Sequence, residues 1–383
     1  MTLTDTSWHD PTFPELRDGP PWLMAEMIAA TPELARPILG APAAADVAAA
    51  VVAAARARDP IVVVGCGTSL HGAMAVADLL EAALERASLR GSVEARDALE
   101  AALQPRAGGL AIGVSHDGAT RATALALEAA ALAGARTALL TRRADEAVAK
   151  HAELVLETTL HDRSWCHTVA FSSAILAGAA IAERVAPQGL DGGAAEARLR
   201  ELLERTGAAV DPAAAALLPG RLTIATGSGA DRVTARELGL KLEEGAHRPT
   251  AHRDLEMLLH GHLVACGDDT PIVLVAVDDR GRPRRLERAR HLLDAAVPLG
   301  APVVGILDAQ AAESLGGHPA LRAVVPTGRA TLPTPLDAIL AGAVALQTLT
   351  LAAVHHAGTN PDLIRREQEP WRTAAAALDG GGW

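Results

Sequence analysis

The chain has 383 residues, which is too long for one ordinary domain and suits two. Apolar residues make up 49% of it and charged residues 21%, so it can bury large cores and is not disordered. The formal net charge is −11 and there is no long basic run, which argues against non-specific nucleic-acid binding. The densest basic stretch, residues 280–290, carries six arginines and is predicted to be a solvated helix face.

Lysine and cysteine usage bear on chemistry and compartment. The only lysines are Lys150 and Lys241, so any reaction that needs a side-chain amine has two candidates. The three cysteines (Cys66, Cys166 and Cys266) lie far apart, lack metal-ligand spacing and are odd in number. We therefore expect a cytoplasmic protein without a disulfide framework.

Residues 336–354 come nearest to a membrane span. Because this segment contains Asp337, Gln347, Thr348 and Thr350, it is predicted to be a buried core helix. No membrane partner is expected.

Short apolar runs alternate with Ala- and Leu-rich helical stretches along the chain. A leading helix interrupted by prolines is predicted at 22–39. The first series then has strands at 61–64, 110–114, 137–141 and 154–156, with helices at 70–87, 119–134 and 144–151. A charged helical stretch at 194–206 precedes the second series. Its strands are predicted at 222–225, 272–277, 303–307 and 323–325, and its helices at 231–244, 284–296 and 336–356.

This alternation predicts an α/β protein with two tandem doubly wound, flavodoxin-like parallel sheets. We expect an N-terminal helical segment at 1–42, a first domain at 43–190 and a second domain at 205–357. A C-terminal tail at 358–383 would lie over the site.

Two loops at the carboxyl ends of predicted strands carry the first functional signal, because ligands bind at that edge of open parallel sheets. Residues 65–69 read Gly-Cys-Gly-Thr-Ser, and residues 115–120 read Ser-His-Asp-Gly-Ala-Thr. Glycines and hydroxyls at the start of a helix suit an anion or an oxygen-rich ligand. A simple helix cap with a tight turn would use the same residues in the first loop. Neither a dinucleotide nor a P-loop fingerprint is present.

Together these loops resemble those of the sugar-isomerase (SIS) domain, Gly-x-Gly-Thr-Ser and Ser-x-Ser-Gly-x-Thr, which hold a sugar phosphate. Residues 163–171, 237–244 and 358–362 are similar to further family segments, in the family's order. His260 follows Glu244 at the spacing of the family's catalytic Glu and His-Gly pair. The chain resembles the isomerase half of glucosamine-6-phosphate synthase and the stand-alone double-SIS aminosugar-phosphate isomerases and deaminases. The synthase's glutaminase domain is not in this sequence, so glutamine-dependent amination by this chain alone is not expected.

The resemblance implies roles for three residues. Glu244 would move a proton between C1 and C2 of a sugar, since burial raises the pKa of a carboxylate toward the working range. Lys241, one turn earlier, would hold Glu244 or a sugar oxygen, and His260 would open the sugar ring. In similar proteins this His comes from the partner subunit, which implies a homodimer. The alternatives are an exposed Lys–Glu pair worth less than about 1 kcal/mol and a histidine with a structural role.

The predicted substrate-binding residues are Gly67, Thr68, Ser69, Ser115, His116, Asp117, Thr120, Trp165 and His167. No cofactor and no metal are expected.

Asp117 departs from the family, which has Ser at this position. A carboxylate about 4 Å from a phosphate oxygen is repelled by roughly 4 kcal/mol per charge pair at an effective dielectric constant near 20. Asp117 therefore turns away, is protonated, or faces a ligand group that is not a phosphate dianion. His116 and His167 would offset its charge or form a pocket for a hydroxyl or a sulfonate. A metal site from these three residues is a further alternative, although their spacing matches no dedicated motif.

The C-terminal tail and Trp165 also differ from the family's pattern. The synthase-like tail ends in a lysine that engages the open sugar, whereas residues 365–370 contain none, which rules out a Schiff base through the tail. Arg365 or Arg366 would bind an anionic part of the substrate or carry solvated charge. Trp165 is bulky where relatives have a smaller residue, so it narrows the pocket or stacks on a sugar face.

The expected function is aldose–ketose isomerisation, through an enediol, of a hexose phosphate or a similar anionic sugar such as a sulfonated one. A deaminase or deglycase acting on an aminosugar phosphate is the alternative, because its chemistry also begins with proton transfer between C1 and C2. A third reading is a non-catalytic sugar-phosphate sensor, which the presence of both Glu244 and His260 disfavours.

Overall fold

The protein contains two five-stranded parallel sheets. The computed structural model describes residue 17 and residues 19–379 of the chain. The first sheet contains β1 (Ile61–Gly65), β2 (Val93–Asp97), β3 (Leu110–Val114), β4 (Arg136–Thr141) and β5 (Leu154–Glu157). The second contains β6 (Thr223–Gly227), β7 (Thr250–Asp254), β8 (Ile272–Ala276), β9 (Val303–Asp308) and β10 (Leu321–Gly328). The strand orders are β2-β1-β3-β4-β5 and β10-β9-β8-β6-β7, so both halves repeat one doubly wound order and the predicted fold class is confirmed.

Helices flank both sheets. The first half contains α1 (Leu23–Ala30), α2 (Ala35–Leu39), α3 (Ala44–Ala57), α4 (Thr68–Arg86), α5 (Ala98–Leu103), α6 (Arg121–Leu132) and α7 (Val169–Val185). The second contains α8 (Gly192–Gly207), α9 (Val210–Leu217), α10 (Asp231–Gly245), α11 (Leu255–His260), α12 (Arg282–Leu299), α13 (Ala309–Leu315), α14 (Leu336–Ala357) and α15 (Trp371–Asp379). Short 3₁₀ helices lie at Thr31–Leu34, Ala147–His151 and His262–Ala265.

A layer of four helices (α4, α7, α10 and α14) lies between the two sheets, with α4 against α7 and α10 against both α14 and α4. One apolar core runs through this layer and joins both halves. Gly342 of α14 lets α10 approach closely, because a Cβ there would lie 2.0 Å from the hydroxyl oxygen of Thr234. This packing fixes α10, which carries Lys241 and Glu244, between the domains.

The helix α14 is long and apolar enough to cross a membrane by length and composition. However, 89% of its most apolar window is buried inside the protein, which confirms the predicted core helix. The bent segment Leu23–Leu39 plus Ala44–Ala57 passes the same test as a pair.

Each predicted strand is present, but several other features differ. The helix predicted at 144–151 is wrong, since only a 3₁₀ turn forms at Ala147–His151. The edge strands β2 and β7 were not predicted because their sequences, Val-Glu-Ala-Arg-Asp and Thr-Ala-His-Arg-Asp, lack an apolar run. The buried helix α7 was also missed. Residues 1–16, 18 and 380–383, at the outer ends of the predicted N-terminal segment and tail, lie outside the described residues.

Candidate active site

A buried carboxylate joins the first predicted loop to the second domain. Thr68 is the first residue of α4, and its hydroxyl donates to Oε1 of Glu237 at 3.1 Å. His71, one turn later, places Nδ1 2.6 Å from Oε2 of the same carboxylate. Glu237 lies on α10 and has no exposed surface. The hydroxyl of Thr68, predicted to face the substrate, is therefore engaged in holding α4 and α10 together.

Lys241 and Glu244 extend this contact along α10. The ammonium of Lys241 lies 3.6 Å from Oε1 of Glu237 and hydrogen-bonds Oε2 of Glu244. The Lys241 side chain is 1% exposed and that of Glu244 is 24% exposed, so the alternative of an exposed surface pair is wrong.

The environment sets the charge of both groups. Burial alone would lower the pKa of Lys241, but Glu244 and Glu237 outweigh it and hold the pKa above its usual value. Burial raises the pKa of Glu244 against the opposing pull of Lys241. A partly accessible carboxylate with a raised pKa, held by a fixed ammonium, is suited to taking up and returning a proton.

A second polar cluster lies on the loops that follow β3 and β5. Asp117 places Oδ1 3.7 Å from Nδ1 of His161 and Oδ2 3.9 Å from Nε2 of His167. The ring of His116 stacks on His161 with centroids 5.7 Å apart and lies 6.1 Å from the His167 centroid. Cys166, next to His167, places Sγ 3.9 Å from the Lys241 carbonyl oxygen. The histidine cluster therefore adjoins the helix that carries Glu244.

Two imidazoles of this cluster, those of His116 and His167, are uncharged near neutral pH. Burial, with His167 and His161 nearby, lowers the pKa of His116 well below its usual value. Burial and the charge of Lys241 lower the pKa of His167 to about 3. These two rings therefore bring no positive charge to offset Asp117 in the free protein.

Donor atoms of His116, Asp117 and His161 all lie within 4.8 Å of one another, which is close enough for a metal ion. One hydrogen bond opposes that use. The backbone N–H of Asp162 donates to Nε2 of His116 at 2.9 Å, so Nδ1 of the neutral ring carries the proton. Neither nitrogen of His116 then has a lone pair left for a metal.

Solved structures with the same arrangement identify the fold. The C-terminal domain of glucosamine-fructose-6-phosphate aminotransferase from Francisella tularensis matches with a TM-score of 0.75 at 18% identity, over 91% of this chain and 99% of that one. This chain has the tandem SIS fold. Tagatose-6-phosphate ketose/aldose isomerase from Escherichia coli matches with a TM-score of 0.69 at 15% identity, covering 90% of this chain and 95% of that one.

Glucosamine-6-phosphate deaminase from Thermotoga maritima matches with a TM-score of 0.67 at 18% identity, covering 89% of this chain and 97% of that one. No family model and no curated protein matches the sequence. At these identities the likeness establishes the fold, and it confirms the predicted resemblance to double-SIS proteins at that level.

The remaining predicted substrate-binding residues lie at the carboxyl ends of β1 and β3, which are neighbours in the first SIS sheet. Gly67 is exposed with φ +54°, and half-buried Ser69 follows it in the first turn of α4. Ser115 is buried and donates its hydroxyl to Oγ1 of Thr120 at 3.3 Å. Thr120 is exposed immediately before α6.

Trp165 packs against the C-terminal segment of the SIS fold. It is 8% exposed and contacts Leu363, and its backbone N–H donates to the Asp362 carbonyl at 3.2 Å. The Arg366 guanidinium lies 4.7 Å from the ring centroid, a cation–π contact. The indole is therefore mostly covered by the chain itself.

Arg365, the other arginine considered in the tail, lies 4.2 Å from the ring centroid of Trp371. The Asp362 carboxylate accepts the N–H groups of Leu23 and Met24 at 2.7 and 2.9 Å. These contacts hold the segment after α14 against α1.

Within the described part of one chain, no hydrogen bond or ion pair joins His260 to Glu244. His260 ends α11 and is exposed, and in the described part of the chain its side chain makes no hydrogen bond or ion pair. Two apolar residues near it, Met257 and Val264, are 53% and 94% exposed.

Sequence reasoning assigned no role to Glu237, His71, His161 or Asp162. Glu237 lies one helical turn before Lys241, and His71 lies one turn after Thr68. This spacing in the sequence was the signal that could have indicated their role. Asp162 had none. Its buried carboxylate accepts the N–H groups of Thr168 at 2.6 Å, Ala170 at 3.2 Å and Ser164 at 3.3 Å. It thereby orders the loop between His161 and α7.

Proposed function

We propose that this protein is a sugar isomerase that interconverts an aldose and a ketose through an enediol. The observation that carries the proposal is the Lys241–Glu244 pair, in which a carboxylate with a raised pKa remains partly accessible next to a buried ammonium. The fold supports it, since solved structures that share it include a protein named as a ketose/aldose isomerase.

In this mechanism Glu244 removes a proton from the carbon next to the sugar carbonyl and returns it to the former carbonyl carbon, while the hydroxyl proton passes to the former carbonyl oxygen. Lys241 remains protonated because Glu237 and Glu244 both stabilise its charge. It therefore positions Glu244 and stabilises negative charge that develops on the enediol oxygens, rather than serving as a base or a Schiff-base amine. The N-terminus of α4 adds the partial positive charge of a 19-residue helix.

The far end of the sugar would lie against Asp117, His116 and His167. Because both imidazoles are neutral and Asp117 is a carboxylate, a phosphate dianion would be poorly stabilised there. We infer that the substrate carries a hydroxyl or a singly charged group such as a sulfonate at this end.

The surroundings of Asp117 also favour a second candidate function. A carboxylate among neutral imidazoles is also suited to an ammonium group, which supports a deaminase or deglycase that begins with the same proton transfer. A fold-sharing structure is named as a glucosamine-6-phosphate deaminase.

A homodimer is part of the proposal. His260 would complete a neighbouring site from the partner subunit and open the sugar ring. Its exposure, together with exposed Met257 and Val264 near it, supports an interface on this face. The proposed location is the cytoplasm, supported by three unpaired cysteines.

The decisive experiment uses hexose phosphates, sulfonated hexoses and free hexoses. A thermal-shift assay first selects ligands, since a ligand at 100 times its Kd stabilises a protein by about 2.7 kcal/mol. Each selected sugar is then incubated in deuterium oxide and followed by NMR. We expect an aldose–ketose mixture with deuterium at the exchanging carbon. Release of ammonia would establish the deaminase instead, and binding without turnover would establish a sensor.

A further inference from the structure

The arginine-rich stretch at 280–290 is only partly a solvated helix face, contrary to expectation. Arg282 is 7% exposed and pairs with Asp308 through hydrogen bonds of 2.9 and 2.7 Å. Three further arginines of α12 face a cavity in the second domain. This stretch therefore contributes to a concave feature rather than to a uniform solvated surface.

The cavity has a volume of about 340 Å³ and lies at the carboxyl end of β6. Its walls are the loop at 227–229, the end of β7 with the start of α11, and the first two turns of α12. In the second sheet β6 lies between β8 and β7, as β1 lies between β3 and β2 in the first sheet. The cavity is therefore the second domain's counterpart of the crevice that follows β1.

This cavity is separate from the Lys241–Glu244 pair. Arg232 lines it in the first turn of α10, whereas Glu244 lies at the other end of that helix. A rise of 1.5 Å per residue separates the two positions by about 18 Å along the helix axis. A ligand in the cavity would not contact Glu244.

Positive charge dominates the lining. Four guanidinium groups face two carboxylates, and the residues concerned are Arg232, Arg284, Arg285, Arg288, Asp254 and Glu256. Arg288 makes two hydrogen bonds to Glu256, at 2.7 and 2.9 Å, and Arg232 lies 3.9 Å from Asp254. Arg284 is 88% exposed and pairs with Glu287 of its own helix, at 2.9 Å. Among the lining residues guanidinium groups thus outnumber carboxylates by two, and the partners of Arg284 and Arg285, which are Glu287 and Asp278, lie outside the lining.

Arg285 is held against the loop after β6. Its Nη1 donates to Oδ2 of Asp278 at 2.8 Å and to the Ser228 carbonyl. Gly229, with φ +64°, permits this contact, because a Cβ there would overlap the guanidinium group. Where the first domain has the hydroxyls of Thr68 and Ser69, the second has a fixed guanidinium.

We propose that this cavity is a second ligand site, which binds a phosphate-bearing small molecule separately from the reaction at Glu244. The planar donor fork of arginine matches phosphate oxygens and forms paired, charge-assisted hydrogen bonds with them. The volume falls within the range of small-molecule sites, about 300–1,000 Å³. A phosphate group would replace the carboxylate of Glu256, which is 67% exposed, as the partner of Arg288.

Isothermal titration calorimetry with inorganic pyrophosphate tests the site. We expect the double variant Arg284→Ala/Arg288→Ala to weaken pyrophosphate binding by at least about tenfold, because charge-assisted hydrogen bonds to the ligand are lost. The control Arg221→Ala/Arg290→Ala removes the same charge outside the cavity, where Arg221 pairs with Asp269 and Arg290 donates to the Ser314 carbonyl. The control is expected to bind like the wild type.

Glu244→Gln should also bind pyrophosphate like the wild type, which separates this site from the active site. If the double variant unfolds, the single variant Arg284→Gln replaces it, since that side chain is 88% exposed. Repeating the titration with glucose 6-phosphate and with ADP distinguishes a sugar phosphate from a nucleotide as the ligand. Equal affinity in the wild type and the cavity variant, or no binding by the wild type, would overturn the proposal.

Discussion

Oε2 of Glu237 and Nδ1 of His71 lie 2.6 Å apart, across the boundary between the two SIS domains. The same carboxylate accepts the hydroxyl of Thr68 and faces the ammonium of Lys241, which in turn holds Glu244. The position of the proposed base therefore depends on both domains, because one buried charge connects α4 of the first to α10 of the second.

Replacing Glu237 with Gln tests this connection. We expect the free energy of unfolding to fall by about 1–3 kcal/mol, since a buried charge-assisted contact to His71 is weakened. Glu237 also raises the pKa of Glu244, so its neutralisation should move the acidic limb of the pH–kcat profile to lower pH. Chemical denaturation and a pH–rate profile measure the two effects.

Glu204→Gln is the matched control, because Glu204 is an exposed carboxylate on α8 and far along the chain from the site. It should change neither quantity. A Glu237→Gln variant that loses stability but keeps the wild-type pH profile would limit Glu237 to a structural role.

Glu244→Gln should abolish isomerisation while substrate binding is retained. Removal of a general base lowers kcat by about 10²–10⁴-fold, and Gln keeps the shape of the side chain. The neighbouring Glu243→Gln is the control, since Glu243 is exposed and lies about 100° around the helix from Glu244. Steady-state kinetics and calorimetry are the measurements, and unchanged turnover in Glu244→Gln would remove Glu244 from the mechanism.

Asp117→Ser should change which sugars bind. Removing the carboxylate eliminates a repulsion of roughly 4 kcal/mol per charge pair at 4 Å and an effective dielectric constant near 20. We therefore expect the Kd for phosphorylated hexoses to fall relative to that for the unphosphorylated sugars. Calorimetric titration of both classes against wild type and variant gives the ratio. An unchanged ratio would mean that Asp117 does not face the far end of the substrate.

His167 should make stability depend on pH. Its pKa is about 3 in the folded protein, because of burial and Lys241, and near 6.5 when unfolded. The unfolded chain therefore binds more protons between these values, and the free energy of unfolding falls as the pH falls from 6.5 toward 3. In His167→Gln this contribution, about 1.4 kcal/mol per pH unit, should be missing. If the free energy of unfolding changed by the same amount between pH 6.5 and pH 5 in both proteins, the prediction would be contradicted.

Gly342→Ala should destabilise the protein by about 1–3 kcal/mol through overpacking. Its Cβ would lie 2.0 Å from the Thr234 hydroxyl oxygen, where α14 contacts α10. Gly207→Ala, at the end of α8 with no atom within 4 Å of its added Cβ, should be neutral or slightly stabilising. Thermal denaturation compares them, and equal melting temperatures would show that the helix contact adjusts without cost.

Much of the architecture follows from local pattern. Apolar runs separated by helical stretches were enough to predict eight of the strands, six of which are central strands buried on both faces. The edge strands β2 and β7 escaped prediction because their sequences are polar, whereas the other two edge strands, β5 and β10, contain apolar runs. The spacing of Lys241 and Glu244 likewise indicated a shared helix face.

The sequence by itself determined two parallel sheets, the glycine- and hydroxyl-rich loops after β1 and β3, and a Lys–Glu pair on one helix. Only the tertiary structure decided that Glu237 is the carboxylate linking this pair to the first domain, that Asp162 orders the histidine loop, and that His116 and His167 are uncharged. The reason is physical. Periodicity is a local property of the chain, whereas the charge of a buried group depends on partners that the fold brings together, such as Glu237 and His71, which are 166 residues apart.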